Sequence, residues 1–331
     1  METGSAQIVS AAFTDQTEGL RLTSTADPVH FSPAEESILR VLLYFDIFSH
    51  PLTTEEIRQF SSERGLRDAD IAKACTEGGL AHFVRVDRGY HFLSDAGPDL
   101  VSQRLAKARR ARSLLRMARL MALVIQTCPF VRAVFLSGEL SKGVASAGTD
   151  IDYVIVTAEH RLWIVRTLLI VFKKLVLLNS KKYFCINHIV TEDHLTVEDR
   201  NWYVACELLT LRPLTGHSQL DRILGANSWL RDAFPNASLP SIDTDARGLS
   251  SRSVGRDRTG WLARLDHRLL VFWQRVWTRR YRSFSEEAVR RQFRTTPHLS
   301  TAYGSNFFDA IRLAYLERLG RFNLTDRFDM A

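Results

Sequence analysis

The segment that most constrains this chain runs from Ser137 to Val156, Ser-Gly-Glu-Leu-Ser-Lys-Gly-Val-Ala-Ser-Ala-Gly-Thr-Asp-Ile-Asp-Tyr-Val-Ile-Val. It places two aspartates one residue apart at the start of an apolar stretch, behind a glycine-containing loop. Alternate side chains of a strand share a face, so Asp150 and Asp152 project together while Ile151 turns to the core. Two carboxylates held so close repel unless a cation lies between them. A hard divalent ion, Mg²⁺ or Mn²⁺, suits such ligands and would also hold nucleotide phosphates. The glycines of the preceding loop let backbone N–H groups approach an anion. The Lys-Ser/Thr ending of a P-loop is missing, which argues against NTP hydrolysis by that route.

The flanks read as a mixed α/β unit. A short strand, Val131 to Leu136, precedes the loop, and a second, Ile151 to Val156, follows it. A long apolar helix comes next, then a strand from Tyr183 to Val190, then helices at about 198–211 and 218–232.

This pattern resembles the nucleotidyltransferase motif of the DNA polymerase β superfamily: Gly-Ser, a spacer with a second Gly, then Asp-x-Asp on the next strand. Gly138, Gly143, Asp150 and Asp152 fall in register with it, and Thr149 stands where Ser or Thr is usual. The likeness covers about residues 130–211. It implies that Asp150 and Asp152 bind the catalytic metal, and that Ser137, Gly138, Glu139, Ser141, Lys142 and Thr149 lie on the nucleotide-binding loop. It implies an α/β (α+β) nucleotidyltransferase domain with a mixed sheet, acting on a nucleoside triphosphate. The acceptor stays open between nucleic acid, protein and a small molecule.

Two positions depart from the family. Glu139 replaces the motif serine, so a carboxylate stands where phosphate would be held. The strand Tyr183–Val190 carries no acid where the family has a third carboxylate. Asn187 and His188 point to opposite faces of a regular strand, and one of them stands near the site. Glu192 and Asp193, just beyond it, either reach in or belong to a surface turn. Tyr203 and Glu207, four apart on a helix, read as a packed Tyr with a surface Glu. These departures leave a second reading open: a degenerate domain that binds nucleotide or nucleic acid without turnover.

The rest of the chain supplies context. Residues 1–30 lack any sustained period and read as a tail. Over 31–95, Ser32-Pro33-Ala34-Glu35 is a capping box, two shorter helices follow, and an alternating hairpin turns at Asp87-Arg88-Gly89. Three helices and a hairpin resemble a winged helix. Residues 96–129 form a connecting helix whose stretch Arg104 to Arg119 has seven basic and no acidic residues. That stretch is either a solvated face or a surface for nucleotide or nucleic acid. The nucleotidyltransferase-like region spans 130–234, a linker 235–259 and a helical region 260–331, with helices near 260–283, 285–293 and 304–320. Thirteen arginines against four acids between Arg247 and Arg294, and a net charge of +7, favour a polyanionic partner. The four cysteines are scattered and read as reduced thiols. No signal peptide is evident at the N-terminus, and Arg166, Lys173 and Lys174 interrupt the most apolar stretch. A cytoplasmic protein without membrane contact is expected.

Overall fold

The computed structural model describes residues 30–180, 182–239, 260–280, 293–301 and 307–329. The tail up to residue 29, the linker beyond 239, most of the helix expected near 285–293 and seven of the thirteen arginines lie outside the described residues.

Helix α1 (Pro33–Asp46) starts where its cap dictates. The Ser32 hydroxyl accepts from the Glu35 N–H at 3.3 Å, and the Glu35 carboxylate accepts from the Ser32 N–H at 2.9 Å. From Ser37 to Phe45 every residue is buried, so α1 is a central helix and not a surface one. It is followed by β1 (Leu52–Thr53), α2 (Thr54–Phe60), α3 (Asp68–Thr76), β2 (Val84–Asp87) and β3 (Tyr90–Leu93), the strands forming an antiparallel sheet in the order β1-β3-β2. Arg88 and Gly89 both have positive φ, 50° and 78°, the requirement of a type I′ hairpin turn.

Helix α4 (Leu100–Gln126) links the two halves of the molecule. Its 27 residues span roughly 40 Å. Arg104 near its start is paired with Glu56 of α2, while Ala111, Ala118, Ala122 and Ile125 pack beneath the large sheet. The sheet comprises β4 (Val131–Leu136), β5 (Asp152–Thr157), β6 (Cys185–Thr191), β7 (Arg212–Thr215) and β8 (Leu299–Thr301), in the order β7-β4-β5-β6-β8. Only β5 and β6 are parallel, and helix α6 (Leu162–Leu175) connects them. The fold is therefore mixed α/β. A single helical turn, α5 (Gly138–Ser141), lies between β4 and β5. Helices α7 (Trp202–Leu209), α8 (Ser218–Ala226), α9 (Leu230–Ala233), α10 (Gly260–Arg280) and α11 (Phe307–Gly320) complete the described elements.

The sheet has two differently covered faces. Val134, Leu136, Tyr153, Ile155 and Ile189 pack with α4, α6 and α10. Ala133, Phe135, Val156 and Val190 form a smaller cluster with Leu195, Leu211 and Ile223. The sequence reading missed the strands β7 and β8, both short and both on the sheet's edges. The core around α1 also extends past the hairpin: it takes in Trp202, Ala205 and Cys206 of α7, and Ile311, Tyr315 and Phe328 near the chain's end. Tyr44 meets Tyr315 edge-on at 5.8 Å, so the last helix closes over the first. No described helix is long and apolar enough to cross a membrane.

Candidate functional site

The site forms where β4 ends and β5 begins. Ser137 is extended and donates its N–H to the Asp152 carbonyl at 3.1 Å. The chain then turns sharply at Gly138, whose φ is +70°. A Cβ added there would lie 3.1 Å from Asp152 Oδ2, so both the conformation and the space call for glycine. Gly143, with φ +73°, takes the chain out of the single turn α5.

The Glu139 side chain is turned onto its own loop. It accepts from the Ser146 N–H at 3.0 Å and the Ser146 hydroxyl at 2.8 Å, and Thr149 donates its hydroxyl to the same carboxylate. The carboxylate thus ties the two arms of the 137–149 loop together. Thr149 lines the cavity but its hydroxyl donates to Glu139, and the Ser141 hydroxyl donates to the Gly138 carbonyl at 2.8 Å. Lys142 Nζ lies 2.6 Å from Glu207 Oε1 and 3.3 Å from the Gly138 carbonyl.

Strand β5 begins at Asp152, one residue later than the sequence pattern indicates, and Asp150 lies in the loop before it. Ile151 between them is fully buried, with its N–H bonded to the Lys182 carbonyl at 3.0 Å. Asp152 stands in the cavity wall with protein around most of its carboxyl. Burial raises its pKa to about 7, a hydrogen bond from Cys185 opposes the shift, and the charges of Asp150, Glu207 and Glu139 reinforce it.

The neighbouring strand corrects one expectation. In β6, Ile186 pairs with Tyr153 and His188 with Val154, which leaves Asn187 as an extra residue in a bulge. Asn187 and His188 are therefore not divided between the two faces, and both line the same cavity. Asn187 Nδ2 donates to Asp152 Oδ1 at 2.8 Å. His188 is pulled down to about 4, first by burial and then by Arg294 and Arg166, which keeps the ring neutral at pH 7. Glu192 does not reach in: it lies 3.4 Å from Arg132 and 3.7 Å from Arg222. Asp193 faces His298 at 3.5 Å.

Glu207 belongs to the site, against the reading of it as a surface residue. Besides Lys142, it accepts from the Gly138 N–H at 3.3 Å. The i, i+4 spacing with Tyr203 was the available signal, and both side chains line the cavity. What the spacing leaves out is that Trp202, Ala205 and Cys206 anchor α7 in the core around α1, which points its opposite face at the loop.

Most of these groups, though not Ser141, Ser146, Glu192 or Asp193, border one cavity of about 1340 Å³. It brings together Ser137, Gly138, Glu139, Lys142, Thr149, Asp150, Asp152, Asn187 and His188; of the sequence-derived site residues, Ser141 alone does not border it. Lys107, Arg166, Lys173 and Arg294 supply positive charge around the acids. Cys185, pushed above the usual thiol range by burial and by Asp152, is a neutral donor there. Among the described residues no group of three or more His, Cys, Asp or Glu is placed to hold a metal ion. Asp150 and Asp152 are hard oxygen donors that border the cavity and could share a divalent cation with other ligands. Comparison with protein families, with characterised proteins and with solved structures gave no match.

Proposed function

We propose that this protein is a metal-dependent nucleotidyltransferase that moves an NMP unit from a nucleoside triphosphate to an acceptor. One observation carries the reading: Asp152 stands in the wall of a large cavity beside Asp150, packed against a left-handed glycine that opens a loop. Burying a carboxylate among other acids is costly, and such clusters persist where a cation or a reacting group repays the cost.

Asp150 and Asp152 would hold Mg²⁺ or Mn²⁺, which would neutralise charge on the triphosphate. The Gly138 N–H and Lys142 offer donors to phosphate oxygens. The acceptor's oxygen bonds to the α-phosphorus, the bond from that phosphorus to the bridging oxygen breaks, and pyrophosphate leaves with the electron pair. The acceptor's proton passes to a carboxylate of the cluster; Asn187, bonded to Asp152, has no basic site for it. Incubation with α-³²P-labelled NTPs and Mg²⁺, with candidate RNA, protein and small-molecule acceptors, tests the reading. Label transfer that Asp152→Asn abolishes supports it. Absence of transfer with every acceptor and every NTP removes it.

Asn187 favours a second reading, in which the domain binds a nucleotide and senses it without turnover. By bonding to Asp152 Oδ1, Asn187 also takes up an oxygen that a metal would need. The winged-helix-like arrangement of α1 to β3 would then contact DNA, RNA or a partner protein. Mg²⁺-dependent NTP binding without any labelled product separates the two readings.

A further inference from the structure

The carboxylate of Glu207 lies where an anion would be held. Its Oε2 receives the Gly138 N–H at 3.3 Å and its Oε1 lies 2.6 Å from Lys142 Nζ. One backbone N–H at a left-handed glycine and one ammonium are the donors that a phosphate oxygen would use. Glu207 is itself an anion, and it is held among acids, not away from them: its charge bears on Asp152 along with those of Asp150 and Glu139. A carboxylate gains little from such neighbours unless these two donors hold it there.

The helix behind it does not move easily. Asn201 caps α7 by accepting the Val204 N–H at 2.9 Å, and Trp202, Ala205 and Cys206 are locked in the core. Only the side chain is free to swing. The Glu207 side chain is 26% exposed and that of Lys142 is 17% exposed, so an incoming anion in the cavity can reach both.

We propose that Glu207 is an internal stand-in for substrate phosphate, which occupies the oxyanion seat formed by Gly138 N–H and Lys142 and must be displaced before a phosphate chain can bind. The proposal rests on the phosphate-loop reading above and names the group that guards that loop. It gives the Lys142–Glu207 pair a purpose beyond stability: the ammonium stays aimed at the seat in the empty site, and anions too weak to displace a tethered carboxylate are turned away. Because the competing carboxylate is intramolecular, its removal raises affinity for any phosphate chain, with or without metal.

The test is titration calorimetry of tripolyphosphate against the full-length protein in metal-free buffer. Glu207→Ala is expected to tighten binding at least tenfold, about 1.4 kcal/mol. Glu207→Asp keeps the charge but shortens the reach by one methylene group, and it is expected to tighten binding as well. In Lys142→Ala/Glu207→Ala the gain is lost. Three results would overturn the proposal: no tightening in either single variant, tightening in Glu207→Ala with Glu207→Asp unchanged, or a gain that survives loss of Lys142. Should Glu207→Ala fail to fold, the Asp variant carries the test. Tightening without any NMP transfer by the parent protein upholds the seat and removes the transferase reading; transfer without tightening does the reverse.

Discussion

Around α1, the buried and half-buried arginines have their anions. Arg40 is 2% exposed and lies 2.7 Å from Glu36, Arg104 lies 2.6 Å from Glu56 with His50 against it, and Arg318 lies 2.8 Å from Asp46. At the start of β5 the arrangement is reversed: Asp152, Asp150, Glu207 and Glu139 are gathered together, and Lys142 is bonded to one of them. The two regions belong to one molecule but to different hydrophobic clusters, each with fully buried side chains. Paired charges serve the fold, whereas like charges held together store unfavourable energy at a site that a ligand can relieve.

The largest test of that contrast is Asp152→Asn. It is expected to lower NMP transfer at least a hundredfold, about 2.7 kcal/mol at the transition state, while the melting temperature holds or rises. A clear fall in melting temperature would mean that the acids are structural after all. On the other side of the comparison, Arg104→Ala removes the partner of a half-buried carboxylate and is expected to cost roughly 3 kcal/mol of stability. Urea denaturation measures it, and a loss below 1 kcal/mol would show that the pair adds little to the helical half.

A third test lies between the two regions. Asp266 on α10 accepts the N–H groups of Trp163 and Ile164 at 2.8 and 2.9 Å and so caps α6 from a distant part of the chain. Losing both bonds in Asp266→Ala should cost about 2 kcal/mol. Burial raises the carboxyl's pKa while the two capping N–H groups and Arg161 oppose the shift; Asp266→Asn keeps an acceptor oxygen without the charge and should cost less than Asp266→Ala.

Acidity offers a further probe. His188 is held near 4 and His50 well below its ordinary value of 6.5, both by burial first, so each stays neutral in the folded chain and takes a proton only on unfolding. Their contribution is complete above pH 6.5 and declines as pH falls towards 4. Denaturation midpoints between pH 7 and 4 should show that slope, less steeply in His188→Gln.

The smallest effect concerns the outer face of α4. Arg109, Arg112, Arg116 and Arg119 are exposed there, opposite the buried Ala111, Ala118 and Ala122. If they contact a nucleic-acid backbone, replacing one should lower the salt dependence of binding by about one unit of slope. Filter binding of RNA and DNA from 50 to 200 mM salt, roughly the range over which counterion release is plain, decides this. Binding that ignores salt would leave the stripe as a solvated face.

What the sequence made legible was local. The capping box at Ser32 and the turn at Arg88-Gly89 depend on residues one to three positions apart, and the structure holds both. The glycine loop and the apolar flanks of Asp152 are legible for the same reason. The bulge at Asn187 is not, because it is defined by a count of residues against the partner strand. Strands β7 and β8 are four and three residues long and exist only through pairing with β4 and β6. Glu139 could be seen as a mismatch, but its solution lies seven and ten residues away in Ser146 and Thr149. Glu207 needed the packing of α7 against α1, which no spacing within its own helix reveals.

The closure of α1 by the end of the chain has a consequence for synthesis. Arg40 Nη1 donates to the Thr325 carbonyl across 285 residues, and the Trp202 N–H meets the Phe328 carbonyl at 2.8 Å. On the ribosome, α1 emerges well before the segment that covers it. At about 5–20 residues per second, its apolar surface waits roughly 15–60 s for Tyr315 and Phe328 to arrive. Over that interval the nascent chain presents a helix rich in apolar residues from Ile38 to Phe45, the kind of segment that holding chaperones bind. A chain that stopped before Phe307 would keep that surface bare.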